Sequence, residues 1–113
     1  MELKRKMQLE ARSKVIKAIG HPTRLFIIDE LHKGEKCVYE LTEMIGADTS
    51  TVSKHLLVLK NAGIVSDDKR GLQVYYTLKV TCIVEFLECI QHVVETNAKE
   101  NMCLIGMGMG AES

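Results

Sequence analysis

Long apolar runs, a secretion signal and the usual residue sets of enzymes are all lacking in this 113-residue chain. The chain contains no run of about 18 apolar residues, the length that a membrane-spanning helix needs, so we expect no membrane association. The first residues, Met1–Lys6, lack the apolar segment of a signal peptide, which predicts a cytoplasmic protein. There are no paired carboxylates, no nucleophile-base set and no phosphate-binding loop, so we do not expect an enzyme.

Net charge is lacking as well, because 15 basic residues balance 15 acidic ones at pH 7. The two signs are unevenly distributed along the chain. Residues 1–80 hold 14 Lys and Arg against 10 Asp and Glu, whereas residues 81–113 hold one against five. The basic part is compatible with modest, salt-sensitive binding to phosphates, although a solvated basic face is the commoner cause of such a surplus.

The segment around residues 50–62 predicts an amphipathic helix with one narrow apolar stripe. Val52, Leu56 and Leu59 recur three or four residues apart, which places them on one helix face. Asp48 is of a type that begins helices, and Gly63 is the type expected just past a helix end. The other face carries hydroxyls and a cation, which suit base edges and phosphates in a major groove.

The rest of the chain predicts one domain, residues 1–98, followed by a flexible tail, residues 99–113, that is rich in Gly and Met. Apolar spacing and glycine stops predict helices over 8–19, 22–33, 37–46 and 81–97. An extended run from 64, a charged turn at 67–71 and a β-rich strand at 73–78 predict a hairpin. The short link between the third and fourth helices is typical of a helix-turn-helix.

The last predicted helix carries two apolar stripes. One contains Ile83, Leu87, Ile90 and Val94, and the other contains Cys82, Phe86, Cys89 and Val93. A single small domain can bury one stripe, so the second calls for a partner, most simply the same helix of another subunit. We therefore expect a homodimer.

These residues resemble the ArsR/SmtB-type winged-helix transcriptional repressors of prokaryotes, over roughly residues 10–97. The resemblance rests on four motifs in the expected order, which are Ala18-Ile19-Gly20-His21-Pro22-Thr23-Arg24-Leu25, Val38-Tyr39-Glu40-Leu41, Ser50-Thr51-Val52-Ser53-Lys54-His55-Leu56 with Ala62-Gly63-Ile64-Val65, and Arg70-Gly71 with Tyr75-Tyr76-Thr77-Leu78. It implies a mainly α fold with a β-hairpin wing, a winged helix-turn-helix that dimerises through its terminal helices. It also implies double-stranded operator DNA as the partner.

The resemblance assigns DNA-binding roles by position. Those that would face the groove are Ser50, Thr51, Ser53 and Lys54, and those on the wing near phosphate or the minor groove are Lys69, Arg70 and Gln73. His55 leans toward the core side of its helix, so packing or a phosphate contact is favoured over the reading of a base.

Metal-sensing sites of the resembled family are only partly present here. Cys37 keeps the first thiol of one such site, with Glu40 three positions on, but the second thiol of the arsenic and cadmium version is Tyr39. The family has a second kind of metal site, and His92 and Glu95 match only one half of it. An isolated pair of this kind is more often a hydrated surface pair than a set of metal ligands.

The four cysteines do not have zinc-finger spacing, and in a reducing compartment they are thiols, metal ligands or redox switches. Cys82 and Cys89 lie on one stripe of the last helix, ~10 Å apart along its axis, too far to share a metal within one subunit. Across an antiparallel dimer they could bind As(III), Cd(II) or Hg(II), with Cys103 from the tail, or form a disulfide or polysulfide. Alternatively, both are small apolar residues that fill an interface.

The sequence therefore predicts a dimeric DNA-binding transcriptional repressor that needs no cofactor to bind DNA and releases its operator when a soft metal(loid) binds cysteine thiols. A redox or sulfide-responsive thiol switch is one alternative. A winged-helix protein-protein interaction module is another, although the cation and hydroxyls on the fourth helix argue against it.

Overall fold

The protein is described by a computed structural model that covers residues 1–104, with side chains through Met102. Its elements are α1 (Leu3–Ile19), α2 (Pro22–Lys33), β1 (Lys36–Cys37), α3 (Val38–Ile45), α4 (Thr49–Asn61), β2 (Val65–Arg70), β3 (Gln73–Leu78) and α5 (Cys82–Leu104). Two compact units contain them, and the first, Met1–Thr81, holds α1 to α4 and the sheet. The second unit begins at Cys82 and holds α5.

Helix α2 supplies the centre of the core in the first unit. The His21 side chain accepts a hydrogen bond from the backbone N–H of Thr23, and Pro22 occupies the first turn, where a missing N–H costs nothing. Ile27 and Ile28 are completely buried. The predicted bounds of this helix, 22–33, are confirmed. They were predictable because the residues that mark both helix ends are close to those ends in sequence.

A tight turn joins α3 to α4. Gly46 has a φ of 78°, a left-handed conformation that glycine adopts without steric cost. Asp48 follows in extended conformation, and its carboxylate accepts a hydrogen bond from the backbone N–H of Thr51 at 3.0 Å. The chain can therefore end one helix and begin the next within three residues, which produces the helix-turn-helix.

The sheet has three antiparallel strands in the order β1-β3-β2. The two residues of β1 pair with Tyr75 and Tyr76 of β3, a pairing that the sequence did not predict. The expectation of a turn at 67–71 was wrong. Asp67 and Asp68 continue the ladder opposite Tyr76 and Tyr75, and only two residues, Gly71 and Leu72, connect the strands.

Two helix ends differ from the sequence predictions by more than one residue. Helix α1 begins at Leu3 rather than residue 8, and α5 continues to Leu104 rather than stopping at 97. The first part of the predicted tail, residues 99–104, is therefore helical, since no glycine interrupts the chain before Gly106. The remainder of that tail lies outside the described residues. The mainly α fold with a β-hairpin wing is confirmed.

None of the helices within residues 1–104 is long and apolar enough to cross a membrane.

Candidate nucleic-acid interface

Helix α4 has a fully buried face and an exposed polar face. Val52, Leu56 and Leu59 are completely buried, so the apolar stripe anchors the helix in the core. The opposite side is exposed, and its hydroxyl and cationic side chains include Ser50, Thr51, Ser53 and Lys54. Four of the predicted DNA-binding residues thus share an accessible surface on one helix.

The start of α4 already holds one negative charge, the Asp48 carboxylate. The first turn of the helix contains no acidic residue, and the positive end of the helix dipole lies there. Hydrogen bonds from the Thr51 side chain and then its backbone N–H lower the pKa of Asp48. That carboxylate, which caps the helix, is the nearest acidic group in the chain before α4.

His55 points toward α2 and makes side-chain contacts there. The Nε of Arg24 donates a hydrogen bond to Nδ1 of His55 at 3.1 Å, and the rings of His21 and His55 are 4.5 Å apart between centroids. Nδ1 must be unprotonated to accept this bond. Burial, with the nearby His21 and Arg24 as further causes, lowers the pKa of His55. The arrangement favours a neutral, packed histidine.

Arg24 also connects α4 with the end of α1. Its Nη1 donates a hydrogen bond to the carbonyl oxygen of Ala18 at 3.0 Å, while its Nε reaches His55. One guanidinium therefore joins three helices of the first unit. In the sequence Arg24 stands out only as part of a motif, and no periodic signal indicates this role.

The wing residues fall into two groups. Lys69 and Gln73 are exposed, on adjoining strands at the end of the hairpin. Arg70 is exposed as well, but it donates two hydrogen bonds to the carboxylate of Glu35, at 2.7 and 3.0 Å, and one to Asp68 at 2.9 Å. Its guanidinium also lies 4.6 Å from the ring centroid of Tyr75.

A further ion pair links α4 to the wing. Nζ of Lys60 lies 3.0 Å from the carboxylate of Asp67 on β2, and this contact raises the pKa of Lys60. Helix α4 and the hairpin are thereby joined near the end of α4. The pair was not predicted from the sequence, because Asp67 is of a residue type typical of turns and was expected to lie in one.

The cysteines lie in different environments. Cys37 is buried, and its backbone N–H donates to the carboxylate of Glu40 at 2.9 Å, so Glu40 serves as a cap at the start of α3. That hydrogen bond also lowers the pKa of Glu40. Cys82 and Cys89 are exposed on α5, and the Cys103 side chain lies outside the described residues.

The partial metal-site motif of His92 and Glu95 is exposed on α5, and Glu95 accepts a hydrogen bond from Gln91 at 3.2 Å. Through residue 102, no three His, Cys, Asp or Glu side chains of one chain converge into a group that could hold a metal ion.

Comparison with known proteins identifies the class that this fold and surface define. The profile of the bacterial regulatory protein, arsR family, matches residues 21–67, which include α2, α3 and α4. The transcriptional repressor PagR of Bacillus anthracis is 33% identical over 89 residues, which cover 75% of this chain and 89% of PagR. The chain belongs to the ArsR family.

Two further comparisons bear on the extent of the similarity. The transcriptional repressor SmtB of Mycobacterium tuberculosis is 34% identical over 70 residues. These residues make up 62% of this chain and 52% of SmtB, so the chain spans about half the length of that relative. A homodimeric winged helix-turn-helix DNA-binding domain from Mycobacterium bovis matches with a TM-score of 0.75 and 25% identity, covering 88% of this chain and 93% of that domain.

Proposed function

We propose that this protein is a homodimeric transcriptional repressor that inserts α4 into the major groove of its operator. The observation that carries the proposal is the exposed face of α4, where Ser50, Ser53 and Lys54 lie opposite a fully buried stripe. Short hydroxyls suit base edges, and the lysine suits phosphates. A two-fold dimer would present two such helices to half-sites about one helical turn apart.

The dimer is supported by exposed apolar side chains on α5, among them Phe86, Ile90, Val93 and Val94. Exposed apolar residues at helical spacing on a long helix are costly in water unless a partner covers them. Helix α1 also exposes Leu3, Met7 and Ile16. These two terminal helices are the surfaces that we assign to dimerisation.

For the inducer, we propose a soft metal(loid) ion such as As(III) or Cd(II), bound by the exposed thiols of Cys82 and Cys89. Thiolates are preferred ligands of soft ions. Because the two residues are ~10 Å apart along the α5 axis, a shared ion requires thiols from both subunits. Such an ion would pull on the dimer interface and change the spacing of the two α4 helices. Cys37 and Cys103 are the remaining candidate ligands.

A thiol switch that responds to oxidant or sulfide is the second candidate, and one observation favours it. Cys82 and Cys89 are exposed, and no third ligand joins either of them within one chain through residue 102. Two thiols form an intersubunit disulfide when an oxidant takes up their two electrons and two protons are released, or a polysulfide when the oxidant also oxidises a sulfide that joins them. In contrast, As(III) or Cd(II) generally takes three or more ligands.

Fluorescence anisotropy of the reduced, metal-free protein on DNA from upstream of its own gene tests these proposals. The anaerobic complex is challenged in parallel with arsenite, cadmium, zinc and a disulfide-forming oxidant. Release by a soft ion alone, abolished in Cys82→Ser or Cys89→Ser, supports metalloid sensing. Release by oxidant alone, reversed by reductant, supports the thiol switch. Absence of any DNA binding would contradict the repressor function and favour a protein-protein interaction module.

A further inference from the structure

One large apolar residue lies on the polar face of α4. Leu57 is 52% exposed, although the helix buries its other leucines, Leu56 and Leu59, completely. At about 100° per residue, Leu57 lies opposite the buried stripe and on the same side as Ser50 and Lys54. Isolated surface leucines are common, but this one is central to the face assigned to DNA.

The position of Leu57 matches the geometry of a groove-reading helix. Side chains at positions i, i+3, i+4 and i+7 share one helix face, and with this spacing the third helix of a homeodomain reads the major groove. On α4 this set is Ser50, Ser53, Lys54 and Leu57, all of which are exposed. The set extends ~10 Å along the helix, a length of about three base pairs.

From this geometry we infer that Leu57 is a specificity-determining residue that recognises the C5-methyl group of a thymine in each operator half-site. Among the four bases, only thymine presents an apolar group in the major groove. A leucine can neither donate nor accept a hydrogen bond, so it gains nothing from guanine, adenine or cytosine edges. It gains from a thymine methyl through the removal of two apolar surfaces from water. This inference rests on the proposed function, since it assumes that α4 enters the groove.

Selection from random DNA with the full chain, followed by base-analogue substitution, tests the inference. Each thymine of the selected site is replaced in turn by deoxyuridine, which differs only by the missing methyl group. The wild-type protein is expected to lose about fourfold in affinity for each half-site changed at the recognised position, the value of one buried methyl group. Leu57→Ala is expected to bind the thymine and uracil sites equally well.

A matched control is Leu72→Ala at the tip of the hairpin, where Leu72 is 99% exposed. This variant loses the same atoms from outside α4, and it should keep the thymine preference whatever its overall affinity. Circular dichroism checks that both variants fold. Equal binding of wild type to thymine and uracil at every position, or an unchanged preference in Leu57→Ala, would overturn the inference. If no sequence is selected at all, the proposed DNA-binding function fails, and this inference fails with it.

Discussion

Arg70 and Glu35 form a two-pronged ion pair that ties the wing to the segment after α2, with N···O distances of 2.7 and 3.0 Å. The pair joins residues that are 35 positions apart in sequence. Together with Asp68 it surrounds the predicted DNA-binding cation with two carboxylates. Arg70 can therefore contribute less to phosphate binding than its position in the wing suggests, and Lys69 becomes the more available wing cation.

Glu35→Gln should raise operator affinity by about threefold at low salt, because it removes one negative charge near the phosphates and loosens the hold on Arg70. The gain should shrink as the salt concentration rises. Fluorescence anisotropy over a salt series measures it. Glu85→Gln on α5 makes the same charge change and serves as the control. An affinity equal to or below that of the wild type would indicate that the ion pair holds the wing in its binding position.

Leu56→Ala and Leu57→Ala should differ sharply in stability although they alter neighbouring residues of α4. Leu56 is completely buried, so its truncation leaves a cavity and should lower the free energy of unfolding by roughly 2–5 kcal/mol. Leu57 is half exposed, and its truncation should change stability by less than about 1 kcal/mol. Urea denaturation followed by circular dichroism gives both values. Similar losses for the two variants would contradict the orientation of α4.

Acidification should destabilise the protein through His55. Burial, followed by His21 and Arg24, lowers the pKa of His55 in the folded chain, while the unfolded chain takes up its proton near pH 6.5. The unfolded state therefore binds more protons below that pH, and the free energy of unfolding falls as pH drops from about 7.5 to 5.5. His55→Gln should reduce this slope, whereas His92→Gln on α5 should not. An unchanged slope in His55→Gln would contradict the role of the histidine contact.

Asp48→Ala should lower the melting temperature and fray the start of α4, because the carboxylate no longer accepts the Thr51 N–H. Asp48→Ser should recover much of the loss, since its hydroxyl can also cap the helix. The pKa of Asp48 is lowered in the folded state, so its contribution is present above about pH 4 and disappears as pH falls through the folded value. Melting curves at pH 7 and pH 3 test both points. A serine variant as unstable as the alanine variant would argue against capping.

The helices that position the candidate site were predictable because their signals are local. Pro22, Gly34 and Asp48 each mark a helix end within a few residues, and the stripe of α4 identified its buried face. Strand β1 was not predictable, because two residues carry no periodicity and their partners lie 40 and 38 positions later. The extent of β2 was misjudged because the aspartates at its centre are typical of turns.

Side-chain partners were the least predictable part of the site. Arg70 pairs with Glu35, and His55 with Arg24, because of how distant segments of the chain pack together. The spacing of residues in the sequence does not indicate such packing. For the cysteines, spacing on α5 indicated that Cys82 and Cys89 cannot share an ion within one chain. Whether they meet across a dimer depends on the partner helix, which the sequence of one chain does not specify.

The most direct test of the account is the operator affinity of Lys54→Glu, compared with Lys99→Glu on α5, by fluorescence anisotropy at fixed salt. The two variants change net charge equally, so long-range electrostatic effects are largely matched. If α4 enters the groove, Lys54→Glu should lose at least tenfold more affinity than Lys99→Glu, since it places a carboxylate against phosphates at both half-sites. Equal affinities for the two variants would contradict the assignment of α4 as the reading helix.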